Sequence, residues 1–402
     1  MHRSIDCLRS VSSSSSVSLA SSSPPSSPDL SALEDSGYFE SNGEDEQEFV
    51  MVVGGAGYIG SHTTLELLKA GYNVLCIDDL SNSFDHVFTN IKTLAAEHCE
   101  NTGVKMPALR FHKLDYRSFA MRSLLAQYAI PSLDSSAPRQ SRIVGVIHFA
   151  AFKSVEESIN KPLAYYQNNI SGLIQLLAWL EEFNIRNFVF SSSATVYGIK
   201  ANEGKPLKEE DLVHFIDTYV DENGEEQLLI PGVKGLTSPY GRTKYFAEAI
   251  LADVAKADPS WRITALRYFN PVGCHPSGIL REDPRQKPTN LFPVIAQVLT
   301  GSRPVLDVFG SDWETRDGTA HAFRAYNLGT GNGATVAEVV DAMSAAAGRE
   351  IPVQRVGRRA GDVGFCVAAT ERAERELQWR TEMSLSQCAE DTWRALAPLA
   401  SS

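Results

Sequence analysis

The sequence predicts an α/β protein: a doubly wound parallel sheet followed by a smaller C-terminal lobe. Three observations carry that expectation. Short β-branched runs alternate with stretches whose apolar residues fall at helical spacing. The runs are apolar throughout, as strands buried on both faces are. The first of them opens directly into a glycine-rich turn.

In chain order, residues 1–48 stand apart. A Ser/Pro-rich run gives way to Gly43-Glu44-Asp45-Glu46-Gln47-Glu48, a composition that cannot bury enough apolar surface to offset its ordering entropy, so a disordered tail is expected. From Phe49 the candidate strands are Phe49–Val53, Asn73–Ile77, Val144–Phe149, Asn187–Ser191 and Ile263–Tyr268. Candidate helices lie at His62–Ala70 and Ile170–Phe183. After Pro271 the pattern loosens into Gly and Pro, then resumes with a strand at Tyr326-Asn327-Leu328-Gly329 and a helix over Val336–Ala347. We therefore divide the chain into a tail (1–48), a nucleotide-binding domain (49–268) and a substrate-binding lobe (269–402).

Composition bounds the function. With 402 residues, 43% of them hydrophobic and 21% charged, the chain can bury a sizeable core. A formal charge of −12 argues against nucleic acid or an anionic membrane surface as partner. Six scattered cysteines without a CxxC pair or Cys/His ligand spacing argue against zinc and against a disulfide framework, so no metal is expected. No apolar run reaches the ~18 residues of a membrane span, and no secretory signal pattern is present. A cytosolic protein is expected.

The strand Phe49–Val53 runs into Gly54-Gly55-Ala56-Gly57-Tyr58-Ile59-Gly60 and then a helix, and the next strand ends on Asp78. That is the strand–turn–helix context of a dinucleotide site in a Rossmann sheet. Gly54 permits the turn, Gly57 lets a pyrophosphate reach the backbone, and Gly60 lets helix pack on strand. The helix N-terminus supplies free N–H groups and positive dipole. A carboxylate at Asp78 suits ribose hydroxyls and repels a 2′-phosphate, so NAD is expected rather than NADP.

Ser191-Ser192-Ser193 closes the strand at 187, and Ser238-Pro239-Tyr240-Gly241-Arg242-Thr243-Lys244 follows. Tyr240 and Lys244 are one helical turn apart and share a face. A phenol is a poor base at its free pKa near 10, but a nearby ammonium and a cationic nicotinamide would lower it, making Tyr240 a general base with Ser193 holding the same substrate oxygen.

On these residues the chain resembles the UDP-glucose (UDP-galactose) 4-epimerases of the extended short-chain dehydrogenase/reductase family, from Phe49 almost to its end. Further matching stretches are Ile77–Ser83, His148–Lys153, Ser191–Gly198, Arg267–Gly273, Tyr326–Gly331, Arg358–Asp362 and Glu376-Leu377-Gln378-Trp379. The resemblance implies that Tyr58, Ile59, Asp78, Asp79, Asn82, Ser83, Asp115, Tyr116, Phe149, Ala150, Lys153, Asn168 and Tyr268 line the NAD site, with Tyr240 and Lys244. It implies that Asn270, Asn290, Leu291, Phe309, Arg359 and Asp362, with Ser193, hold a UDP-sugar. Cys366 stands where the family limits the sugar pocket, and its small side chain leaves room for a 2-acetamido sugar. The implied reaction oxidises C4 transiently to a 4-keto sugar and returns the hydride to its other face; a homodimer is also implied. Related 4,6-dehydratases need an acidic pair where this chain has Ala194 and Thr195, which disfavours that chemistry.

The chain's main departure from the family lies after Thr319, beside two smaller ones: Val53 where the family usually has Thr, and a long interval between Ser193 and Tyr240. From Asp317-Gly318-Thr319 the chain passes through Ala320-His321-Ala322-Phe323-Arg324-Ala325 directly to Tyr326, about two dozen residues short, room for a strand and an average helix. The segment absent includes a diphosphate-binding arginine, for which Arg324 is the nearest candidate. The loss should expose apolar surface and cost several kcal/mol of packing, and a misplaced exon boundary would account for it. Two readings follow: a working epimerase, or an impaired NAD-binding paralogue serving as a sensor or partner protein. A polar, acidic insert at Lys205–Gly235 is expected to be a surface loop.

Overall fold

Every second residue of the central strands feeds one core and the residues between feed another, which makes the sheet doubly wound. Met51, Val53, Leu75 and Ile77 belong to the larger buried cluster, whereas Val52, Val74 and Cys76 belong to the cluster on the opposite face. Alternate side chains of a strand point to opposite faces, so a run apolar throughout must be covered on both.

The computed structural model describes residues 47–131, 139–220, 224–285, 291–300, 302–304, 306–308, 323–356 and 365–400. Seven parallel strands form the main sheet: β1 (Phe49–Val53), β2 (Val74–Asp78), β3 (Leu109–Lys113), β4 (Ile143–His148), β5 (Asn187–Ser193), β6 (Arg262–Tyr268) and β7 (Arg324–Leu328). Their spatial order is β7-β6-β5-β4-β1-β2-β3, so the sheet is wound outward in both directions from the β1/β4 seam, where such sheets bind ligands. The seventh strand is drawn from the 269–402 part of the chain.

On one face lie α1 (Tyr58–Lys69) and α2 (His86–Thr102); on the other lie α3 (Phe119–Gln127), α4 (Gly172–Glu182) and α5 (Pro239–Ala257). The sequence reading lacked β3 and α2. Strand β3 sits at the sheet edge and is half-buried along most of its length, so its Leu-Arg-Phe-His-Lys mixture lacks the apolar run that marks its neighbours. Helix α2 starts at Asp85, whose carboxylate accepts from the His86 N–H, and ends at Gly103 in the left-handed conformation that suits glycine.

Beyond the sheet, α6 (Leu291–Leu299), α7 (Val336–Ala347) and α9 (Leu385–Ala400) share an apolar cluster around Ile295, Met343 and Ala389. Helix α7 opens with a reciprocal capping box between Thr335 and Glu338 and closes at Gly348. Helix α8 (Glu371–Leu377) lies against β7. Among the described residues no helix is long and apolar enough to cross a membrane.

The insert at Lys205–Gly235 departs from expectation. Asp217–Val220 and Glu226–Leu229 pair as an antiparallel hairpin, and the limb before it is anchored in the body. Glu209 and Glu210 are buried; the Glu209 carboxylate accepts from the Asn327 N–H, and Glu210 accepts from Arg372 of α8 at 2.9 Å. Buried carboxylates persist where charged or N–H donors meet them, and the insert obtains those donors from β7 and α8, both remote in sequence.

Candidate active site

The carboxyl ends of the strands come level across the sheet: Val53 is opposite Ile77 and His148, and Ser193 is opposite Tyr268, itself opposite Leu328. Along this edge lie the predicted cofactor and catalytic residues that the structure describes.

The β1–α1 corner is built from backbone. Gly54 has a positive φ of 86°, and a Cβ there would meet the Ala150 nitrogen at 2.7 Å. At Gly60 a Cβ would lie 2.1 Å from the Gly54 carbonyl oxygen, so only glycine lets α1 start this close to the strand. Gly57 caps α1 without a side-chain hydrogen bond, which leaves the first turn's N–H groups, at Tyr58, Ile59 and Gly60, directed outward for a ligand. Asp78 accepts from the Ala56 and Leu80 N–H groups and from Ser83 Oγ, at 2.9 to 3.0 Å. Burial raises the carboxyl despite those bonds. Asp79 turns back to the Ser81 N–H, and Asn82 lies in the same loop. An uncapped helix start, a cradle that a single methyl would fill and an acidic residue at the next strand end together fit a dinucleotide.

The rest of the predicted NAD wall is near. The Ala150 and Phe149 N–H groups bond to the Val53 carbonyl. Tyr116 donates to the Asn168 carbonyl at 2.6 Å, and Asp115 is paired bidentately with Arg117, which lowers its carboxyl. Lys153 makes a 2.7 Å ion pair with Glu282. Tyr58 donates to the Gly273 carbonyl, tying the turn to the segment after β6.

Opposite stands a wall made of side chains. Ser193, at the end of β5, lies near enough to the Tyr240 phenol to pull its pKa down, and the Thr195 hydroxyl donates to Ser193 Oγ at 3.1 Å. Helix α5 begins at Ser238, whose Oγ accepts from the Gly241 N–H, with Pro239 in the first turn. Tyr240 and Lys244 both lie on its buried face. The expected lowering of the phenol is not found in the protein alone. Burial raises Tyr240, against a pull from the Ser193 hydrogen bond, and burial brings Lys244 down to about 7. Desolvation penalises whichever form is charged, so it moves an acid up and an ammonium down. The Lys244 ammonium donates to the Ser191 carbonyl and lies over the Phe190 ring at 4.7 Å.

Behind these residues is a polar network that the sequence reading missed. Arg267 is fully buried on β6 and donates to both Glu248 oxygens at 3.1 and 2.7 Å and to Tyr197 Oη at 2.8 Å. Glu248, one turn beyond Lys244, also accepts from the Ser192 hydroxyl and from His214 Nε2. Burial works against the Glu248 charge, yet Arg267 and His214 hold its carboxyl far below the usual range. Tyr197 passes the network on to Asn327 of β7 at 2.7 Å. The available signal was an arginine inside the otherwise apolar Ile263–Tyr268 strand, which demands a buried partner.

Of the predicted sugar-nucleotide residues, Asn270 follows β6 with a positive φ of 46°, and Leu291 opens α6. Cys366 is half-buried against the Val196–Leu212 cluster, and burial pushes its thiol up to about 12. Asn290, Phe309, Arg358, Arg359, Asp362, the stretch 319–322 and the tail to residue 46 lie outside the described residues. Arg324, the candidate for a diphosphate-binding arginine, lies away from the carboxyl edge. It opens β7, opposite Thr264, four residues or ~13 Å from the carboxyl edge, and its Nε lies 3.6 Å from Glu376.

Comparison with known proteins agrees with this geometry. Residues 50–320 match the NAD dependent epimerase/dehydratase family. The UDP-glucose 4-epimerase 2 of Arabidopsis thaliana is 40% identical over 373 residues, covering 86% of this chain and 93% of that protein. A UDP-glucose 4-epimerase of Schizosaccharomyces pombe is 42% identical over 370 residues, again 86% of this chain and 93% of its own. The crystal structure of UDP-glucose 4-epimerase from Bifidobacterium longum in complex with NAD+ and UDP superposes with a TM-score of 0.71 at 35% identity, covering 88% of this chain and 99% of that one.

Proposed function

The chain belongs to the NAD dependent epimerase/dehydratase family, among the UDP-glucose 4-epimerases, and from that premise we propose that it interconverts UDP-galactose and UDP-glucose at C4 with bound NAD. One observation carries the reading. Tyr240 and Lys244 lie one turn apart on the buried face of the catalytic helix, with the Lys244 ammonium on the Ser191 carbonyl at the end of the strand that carries Ser193, at the same edge of the sheet as the glycine turn.

Gly54, Gly57 and Gly60 with the α1 N-terminus hold the pyrophosphate, and Asp78 takes the ribose hydroxyls. NAD, when bound, supplies the reversible acceptor for the C4 hydride. Ser193 positions the sugar O4, and Tyr240 accepts its proton and later returns it. Lys244, buried one helical turn away, supplies positive charge when protonated, which lowers the phenol's cost of ionisation. Asn270, Leu291 and Cys366, with the residues at 290, 309, 359 and 362, form the UDP-sugar side in the 269–402 lobe. Thr195 spends its hydroxyl on Ser193, and Ala194 beside it has no acid–base group, so nothing at these positions expels water from the sugar.

The retained Ser193–Tyr240–Lys244 arrangement favours a working enzyme, and no observation favours the impaired paralogue. A second copy of the chain is the partner we propose. Phe246 on the catalytic helix and Leu163 and Ile174 on neighbouring helical segments are exposed, at 41%, 81% and 50%. A cytosolic site fits the described cysteines, all of them free.

Isotope retention tests the reaction. UDP-galactose deuterated at C4 should yield UDP-glucose with the label still at C4 and none in solvent. Label lost to water, or a product short of one water, would rule the reading out.

A further inference from the structure

The acidic insert meets the catalytic helix through a buried histidine, and further along the helix Lys256 lies over Phe215 of the insert at 4.1 Å. His214 lies in the limb before the hairpin, and its side chain is 4% exposed. Its Nε2 is 3.0 Å from Glu248 Oε2. A carboxylate only accepts, so Nε2 carries the hydrogen. The ring is wedged between α5 and the start of β7. It lies 5.4 Å from the Tyr245 ring and 5.4 Å, edge-on, from the Phe323 ring. Phe323 in turn packs against the main core.

Glu248 is where this contact acquires consequence. Its other oxygen accepts from the hydroxyl of Ser192, the residue before Ser193, and both of its oxygens accept from Arg267. It stands on α5 one turn beyond Lys244. A shift of the carboxylate therefore moves the end of β5 and the turn of α5 that carries the ammonium. His214 occupies the space between α5 and Phe323, the residue before β7.

We propose that His214 is a positioning residue for the epimerase reaction: through Glu248 it fixes the Ser192–Ser193 strand end against Lys244, so the insert is part of the catalytic wall. This rests on the proposed function. It adds that a residue of the insert, which never touches substrate, sets the turnover rate.

Two crossed substitutions separate the hydrogen bond from the packing. His214→Phe keeps a ring against Tyr245 and Phe323 and removes the donor; His214→Gln keeps a donor and removes the ring. The full chain with its bound NAD should lose about 10- to 100-fold in kcat on His214→Phe, with KM for UDP-galactose within about 2-fold. His214→Gln should restore most of that loss. Ile230→Ser, on the exposed side of the insert, should match the parent. Amide exchange of the protein without substrate should quicken in 191–198 on His214→Phe, not on His214→Gln, with the β1–α1 corner unchanged. Unaltered kcat and exchange on His214→Phe would overturn the proposal, as would a loss that Gln fails to restore or exchange that rises across the whole sheet. If the parent itself does not turn over, the proposed function fails, while the exchange pattern still decides the role of His214.

Discussion

The two walls of the crevice are made of opposite materials. The β1–α1–β2 corner is shaped by glycines and backbone N–H groups, and the half-buried Asp78 is satisfied within its own loop and turn. The β5–α5–β6 wall is shaped by buried ionic side chains, Arg267, Glu248 and Lys244, whose partners include the insert and the strand end, with Tyr197 linking Arg267 on to β7. The first wall is local in sequence and fails when a side chain is added. The second is non-local and fails when one is removed.

The largest expected effect bears on the chemistry of the second wall. Tyr240→Phe should lower kcat by about 10³-fold while NAD stays bound, because proton transfer is lost and the cradle is untouched. Steady-state rates per mole of bound cofactor check this; a loss of NAD in proportion to activity would put Tyr240 in the wrong wall.

Next comes the network that holds that wall. Glu248→Gln leaves Arg267 buried without its counter-charge and should cost about 3 kcal/mol of folding stability or more, read from urea denaturation. A cost under about 1 kcal/mol would mean that the buried pair is incidental to the wall.

The glycine wall answers to the opposite change. Gly60→Ala places a methyl 2.1 Å from the Gly54 oxygen, so NAD retention should collapse on purification with a stability cost of about 2 kcal/mol. Gly71→Ala, with open space but a positive φ of 88°, should cost about 1 kcal/mol and keep the cofactor. Equal cofactor loss in both would remove the distinction between steric fit and backbone strain.

The smallest effect is a slope. Lys244 falls from its ordinary value to about 7 because of burial. The unfolded chain therefore holds this proton between pH 7 and about 10 when the folded chain does not, and folding becomes more favourable as pH rises through that window. Lys244→Met should remove a slope of up to ~1.4 kcal/mol per pH unit from the cofactor-free protein. Identical slopes in parent and variant would show that the ammonium keeps its hydration.

The same contrast explains what was legible in the sequence. The glycine corner could be read because Gly54, Gly57, Gly60 and Asp78 act within one strand–turn–helix unit, and Tyr240 and Lys244 because one helical turn joins them. Apolar runs revealed five of the seven strands before Pro271 and a sixth after it, while β3 was hidden by edge-strand polarity. The Glu248–Arg267–Tyr197 network was illegible because its members meet only in the fold: Tyr197 and Asn327 are 130 residues apart, and His214 and Glu248 are 34 apart. For the same reason an acidic insert read as a surface loop, since composition shows charge and not the buried donors that receive it.

The measurement that tests the central claim most directly is turnover by the purified full chain with no cofactor added. The account predicts that NAD co-purifies, that UDP-galactose is converted to UDP-glucose, and that Tyr240→Phe abolishes conversion while retaining the NAD. Bound NAD with no turnover in the parent chain would contradict it, and would mean that the chain binds the cofactor without catalysing epimerisation.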